Sequence, residues 1–168
     1  MSGPREGLAV THRRYIPYSH AHYAGDLVDG AYVLGLFGDA ATELCIRSDG
    51  DEGLFASYSD VQFRAPVRAG DVLETTAVLT RAGTRSRVMD FEARVVCRGR
   101  PGRGESSAEV LPEPIVAVTA TGTVVVSAPE SGSAPGAGPA PAPGVSAPAA
   151  ARPGDEIVDH APVKGPHL

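Results

Sequence analysis

The longest apolar run in the chain, Gly30 to Arg47 (GAYVLGLFGDAATELCIR), is apolar or small nearly all the way round over its first fifteen residues. Only Asp39 and Glu43 interrupt it. A pattern without a polar side predicts a long helix packed in the middle of something larger. Asp29 is placed to cap its start, with the helix entering at Gly30 or Ala31, and the polar turn Ser48 to Gly53 stops it. Asp39 and Glu43 stand four apart and therefore share one helical face. Carboxylates inside an apolar helix are costly unless paired, hydrogen-bonded or protonated, so their presence asks for a reason.

The remaining pattern has a period of two. Leu8 to Ile16 alternates loosely and reads as a first strand, ended by Pro17. Ser19 to Asp29 (SHAHYAGDLVD) has no period and is a loop leading into the helix. Leu54 to Phe63 is the next strand. Arg68-Ala69-Gly70-Asp71 is a turn, and Val72 to Arg81 is a third strand, followed by a tight connection at Gly83 and Thr84. From Val88 to Cys97 the alternation is clean, with Met89, Phe91, Ala93, Val95 and Cys97 on one face. Arg98 to Pro114 is rich in Gly, Pro and Arg and reads as a surface insertion. Ile115 to Val126 is a last strand. The class is α+β: one strand, one long helix, and four antiparallel strands able to wrap it. This domain covers residues 7–126. From 127 to 168 the composition turns to Pro, Ala, Gly and Ser, too poor in large apolar groups to offset ordering entropy, and predicts a disordered tail.

Charge narrows the partners. The formal net charge is -5 with a pI near 5.5, and there is no basic run, which argues against nucleic acid and against an anionic membrane surface. No apolar stretch reaches the roughly 20 residues of a spanning helix, and the first residues carry no export pattern, so a cytoplasmic protein is expected. Cys45 and Cys97 fit reduced thiols rather than a disulfide framework. No phosphate-loop, dinucleotide or zinc spacing is present, and no metal is implied.

Several stretches resemble a known family. A long helix wrapped by one antiparallel sheet is similar to the hot-dog fold of acyl-CoA thioesterases and dehydratases. FRAPVRAGDVLETTAVLTRAGTRS (Phe63 to Ser86) resembles the strand-turn-strand of hot-dog thioesterases, and GDAAT (Gly38 to Thr42) their helical Asp-x-Ala segment. SHAHYAGDLVDGAY, GLFGDAATELCIR and DGDEGLFASYSDVQFRAPV together resemble the β-alanyl-CoA and 3-aminobutyryl-CoA ammonia lyases, over roughly Arg14 to Val96.

The resemblance implies reversible elimination of ammonia from a 3-aminoacyl-CoA to give a 2-enoyl-CoA, with coenzyme A carried by the substrate and no separate cofactor. Such a reaction needs a base over the carbon beside the thioester and donors for the developing enolate oxygen. Asp39 matches the helical acid of the thioesterases and is the first candidate base, with Glu43 as partner for the substrate ammonium. His22 is the alternative base, because HYAG (His22 to Gly25) resembles the His-x-x-Gly of hydroxyacyl dehydratases; His20 would orient it or stand exposed. The amides of Gly30 and Ala31 at the helix start would serve as oxyanion donors. Tyr23 and Tyr32 could stack or hydrogen-bond at the pocket, and Arg64, Arg68 and Arg87 could meet phosphates.

One distance opposes this set. Nine residues at ~1.5 Å rise put Gly30 and Asp39 roughly 13 Å apart, long for a carbonyl and its neighbouring carbon. Three other readings stay open: a thioesterase with Asp39 activating water, a hydratase using His22 and Asp39, and a non-catalytic acyl-CoA-binding module. Hot-dog relatives commonly build the pocket between subunits, which implies at least a homodimer.

Overall fold

The computed structural model describes residues 6–127. The chain runs β1 (Ala9–Tyr15), α1 (Gly30–Asp49), β2 (Leu54–Phe63), β3 (Val72–Ala82), β4 (Ser86–Gly99) and β5 (Ala108–Val125), with short 3-10 turns before the helix and after β4. The strands form one antiparallel sheet in the order β1-β3-β4-β5-β2. The expected tail lies outside the described residues, apart from its first residue, Ser127.

The helix starts and stops where local chemistry dictates. Asp29 accepts a hydrogen bond from the Tyr32 amide (2.9 Å), and Gly50 closes the far end at φ 69°, its amide bonding the Ile46 carbonyl. Val33, Leu36, Phe37, Ala40, Ala41, Leu44 and Cys45 are buried, the spacing of a helix with a single covered stripe. They meet Leu73, Thr75, Ala77 and Leu79 of β3, and Met89, Phe91, Ala93 and Val95 of β4, all buried. At the centre, Phe37 stacks on Phe91 with ring centroids 5.1 Å apart. Close packing also fixes Gly122, where a Cβ would stand 2.5 Å from the Phe55 ring and 2.9 Å from that of Phe91.

Three expectations need correction. The helix is not buried on all sides: Ala31, Gly35, Asp39 and Ile46 are exposed, and Gly38 and Thr42 only partly covered. These positions form one stripe opposite the sheet. The insertion is shorter than expected, because β4 extends to Gly99 and β5 begins at Ala108. Pro112 and Pro114 are accommodated in β5 where its register against β4 slips between Cys97↔Val110 and Val95↔Ile115. That segment also lies beyond the pairing with β2, so neither side demands the missing amides in full. Val96 is buried without joining the core cluster that holds Val95, and Cys97 is only partly buried.

Arg87, one of three arginines that could have met phosphate, is instead a buried tie. Its guanidinium donates to both carboxylate oxygens of Asp49 (Nε 2.9 Å, Nη2 2.5 Å) and to the carbonyls of Gly83 and Ser86. The pair pins the last turn of α1 to the β3–β4 hairpin, its side chains only 5% and 12% exposed. The Arg87 bond holds the Asp49 carboxyl below the usual range, against the opposing effect of burial. Its stabilisation is therefore complete above the unfolded Asp pKa of about 3.9 and is lost as pH falls through the lower folded value. Asp49→Asn is expected to cost about 3 kcal/mol at pH 7 in denaturant titration. The gap to wild type should shrink as the pH is taken below that of an ordinary carboxyl.

Candidate active site

Two cavities on the helix side hold the residues with chemistry. The first, about 270 Å³, lies at mid-helix between α1, β1 and β3, and is lined by Asp39, Leu36, His12, Arg13, Arg14 and Thr75. The second, about 240 Å³, lies at the helix start and is lined by Gly30, Val28, Phe63, Arg64, Ala65, Pro66, Val67 and Val118.

Asp39 stands on the open stripe of α1, exposed rather than enclosed. The burial that would sharpen it as a base is not supplied by its own subunit. Glu43 is also different from expectation. One carboxylate oxygen accepts from His12 Nε2 (2.5 Å) and the other from Arg47 Nε (2.7 Å), so it offers no open carboxylate for an ammonium ion. The bond from His12 first, and then that from Arg47, lower its pKa. Glu43 thus positions His12, whose ring sits on the helix-facing side of β1, two residues after the buried Val10.

His12 and Thr75 are the site residues that the sequence reading missed. They face each other in the β1–β3 register. The available signal was spacing: from Val10, every second residue of β1 points toward the helix. Thr75 is 2% exposed in a row otherwise made of Leu and Ala.

At the helix start, Asp29 engages the Tyr32 amide. The amides of Gly30 and Ala31 have no carbonyl four residues back and point out of the helix end, as oxyanion donors require. A Cβ at Gly30 would come within 2.5 Å of the exposed Phe63 ring, so any larger residue here has to push that ring aside. Arg64 lines this cavity while its Nε bonds Thr119 Oγ1 (3.2 Å).

The loop residues are not gathered with Asp39. His22 is exposed, its amide bonded to the Leu27 carbonyl and its ring edge-on to Tyr23 at 4.5 Å. His20 packs against Tyr32, with centroids 4.5 Å apart. None of these four rings lines either cavity. Cys45 is buried, and burial pushes its thiol up to about 11, so it is inert packing. Among the described residues no cluster of three or more His, Cys, Asp or Glu could hold a metal ion, and no helix is long and apolar enough to cross a membrane.

The helix-on-sheet architecture defines a hot-dog domain, and residues 27–100 match the thioesterase superfamily. The chain is 55% identical over 106 residues to a 3-aminobutyryl-CoA ammonia lyase of Acetoanaerobium sticklandii, covering 63% of this chain and 84% of that one. Its fold is similar to that of the β-alanyl-CoA:ammonia lyase from Clostridium propionicum, with TM-score 0.69 and 34% identity over 73% of this chain and 87% of the other. A hexameric hotdog fold thioesterase of Campylobacter jejuni shares the fold alone, at TM-score 0.58 and 16% identity over 69% and 80% of the two chains. The chain belongs to the hot-dog thioesterase superfamily and, within it, to the family of the acyl-CoA ammonia lyases.

The His12–Glu43 pair makes a direct prediction. In wild type the carboxylate fixes which ring nitrogen carries the proton. In Glu43→Gln the two ring nitrogens should move toward the averaged ¹⁵N shifts of a free imidazole at neutral pH; unchanged shifts would mean that the pair does not hold the ring.

Proposed function

We propose that the chain reversibly eliminates ammonia from a 3-aminoacyl-CoA, of the 3-aminobutyryl-CoA or β-alanyl-CoA type, to give a 2-enoyl-CoA. The identity to a 3-aminobutyryl-CoA ammonia lyase across most of that protein's length carries this reading. The geometry supports it in three respects.

The Asp39 carboxylate is open on the helix face and takes the proton from the carbon beside the thioester carbonyl. The electron pair moves onto the thioester oxygen, which the amides of Gly30 and Ala31 stabilise as an enolate. When the enolate collapses, the carbon–nitrogen bond breaks and the protonated amine leaves as neutral ammonia. An amine needs no enzyme acid to depart, unlike a hydroxyl. A single open carboxylate acting as base therefore suits an ammonia lyase better than a hydratase, whose leaving oxygen needs a second, acidic group.

Asp39 and Gly30 line separate cavities in one subunit, in keeping with the roughly 13 Å of helix between them. A second copy seated against the open stripe would bring its helix start to the first copy's Asp39 and would also enclose that carboxylate, raising its basicity. The stripe suits such contact, because Ala31, Gly35, Gly38 and Thr42 are small. The active species is accordingly a homodimer or a larger assembly built from it.

Two measurements test this. Asp39→Asn should lower conversion of 3-aminobutyryl-CoA to crotonyl-CoA by about 10²–10⁴-fold, the span of a positioned base, while His22→Ala stays near wild type. Thiol release from acyl-CoA without aminated product would instead establish a thioesterase. In light scattering the protein should be at least dimeric at micromolar concentration, and a monomeric mass would contradict the shared site.

A further inference from the structure

The mid-helix cavity holds a ring that the elimination described above does not use. His12 lines it together with Asp39 and Thr75, its own partner in the β1–β3 register. Glu43, which bonds the ring, stands one helical turn after Asp39. The carboxylate that fixes His12 and the proposed base therefore rise from adjacent turns of α1. The His12 side chain is 34% exposed, so a ligand in the cavity can reach it.

The chemistry of the ring follows from its partner. An ionised carboxylate has only lone pairs to offer, so the nitrogen it meets, Nε2 at 2.5 Å, carries the hydrogen. Glu43 is ionised at neutral pH, because the bonds from His12 and Arg47 hold its carboxyl below the usual range. In a neutral imidazole the other nitrogen, Nδ1, then keeps its lone pair. It is an acceptor and has no proton to give.

Charge alone would not select an ammonium group here. Arg13 bonds Glu74 (2.7 Å) and Arg47 bonds Glu43 (2.7 Å). Among the described residues, that leaves Asp39 and Arg14 as the charges of the cavity wall outside an ion pair, and they offset each other. What His12 adds is a lone pair with a direction.

Resting on the ammonia-lyase reading above, we propose that His12 Nδ1 accepts a hydrogen bond from the substrate's amino group and selects amines over hydroxyls. In elimination the ring holds the protonated amine beside the carbon that Asp39 deprotonates. The carbon–nitrogen electron pair leaves with nitrogen, no proton passes to the ring, and neutral ammonia stays on Nδ1. In the reverse direction one N–H of ammonia rests on Nδ1, and the ammonia lone pair points away from the ring toward the carbon it attacks. A hydroxyl gains nothing from this arrangement. To depart it needs a proton, and the tautomer that Glu43 imposes keeps none at Nδ1.

The test is steady-state addition of ammonia to crotonyl-CoA by the full chain, with the two substrates varied separately. Asparagine and glutamine divide the two duties of the ring: an Asn carbonyl oxygen reaches about where Nδ1 stood, and a Gln amide nitrogen about where Nε2 stood. His12→Phe and His12→Gln should raise the KM for ammonia by roughly tenfold, the worth of one hydrogen bond, and leave that for crotonyl-CoA unchanged. His12→Asn should recover most of this loss, although it breaks the contact with Glu43. A ring that merely ties β1 to α1 gives the opposite order, with Gln still able to bond Glu43 and close to wild type, and Asn impaired. That order, or a KM for ammonia that is the same in every variant, would overturn the proposal. So would KM values for both substrates rising together. A wild type that forms no aminated product from crotonyl-CoA would remove the lyase reading itself, and this inference with it.

Discussion

A single sheet can cover only one side of a helix, and much else in this molecule follows from that constraint. The buried stripe from Val33 to Cys45 fits against the inner faces of β3 and β4, with Phe37 on Phe91 at the centre. The opposite stripe remains open, and Asp39 stands on it. The element that organises the core therefore also carries the proposed base, on the stripe that its own sheet leaves open. The packed stripe sets which way Asp39 faces, and the Asp49–Arg87 tie holds the last turn of the helix against the hairpin.

Three different demands on charge are met in three places. At the helix start, in the proposed reaction, neutral amides with fixed direction would serve an oxygen whose charge exists only during reaction. At mid-helix a carboxylate is left open, while its neighbour Glu43 is held by His12 and Arg47. Around the turn at Gly70, Arg68, Arg98, Arg100 and Arg103 line one cavity, with Arg98 held by the buried Asp71. Gly70 itself is fixed twice, by φ 88° and by the Tyr18 ring against it.

Much of the fold was legible in the sequence. Asp29 as cap, the bounds of β2 and the alternation of Met89 to Val95 all follow from residue type and period. What misled was small side chains. Ala31, Gly35 and Gly38 count as apolar in a pattern yet bury little, so a one-sided helix looked buried all round. The prolines of β5 read as loop because the register slip that admits them depends on β4, not on local sequence. Glu43 was read for its position on the helix, but its role is decided by His12, thirty-one residues earlier across β1. Likewise Arg87 is defined by Asp49, and neither pairing has a local signature.

The central claim is that each active site joins the Asp39 of one copy to the helix start of another. Co-expression of Asp39→Asn with Gly30→Val, whose side chain would displace Phe63 and block the helix-start cavity, tests it most directly. With random pairing, half of the dimers are mixed and each mixed dimer keeps one intact site, so ammonia elimination should return to roughly a quarter of wild type. Two variants that stay inactive when co-expressed, though assembled together, would contradict the account.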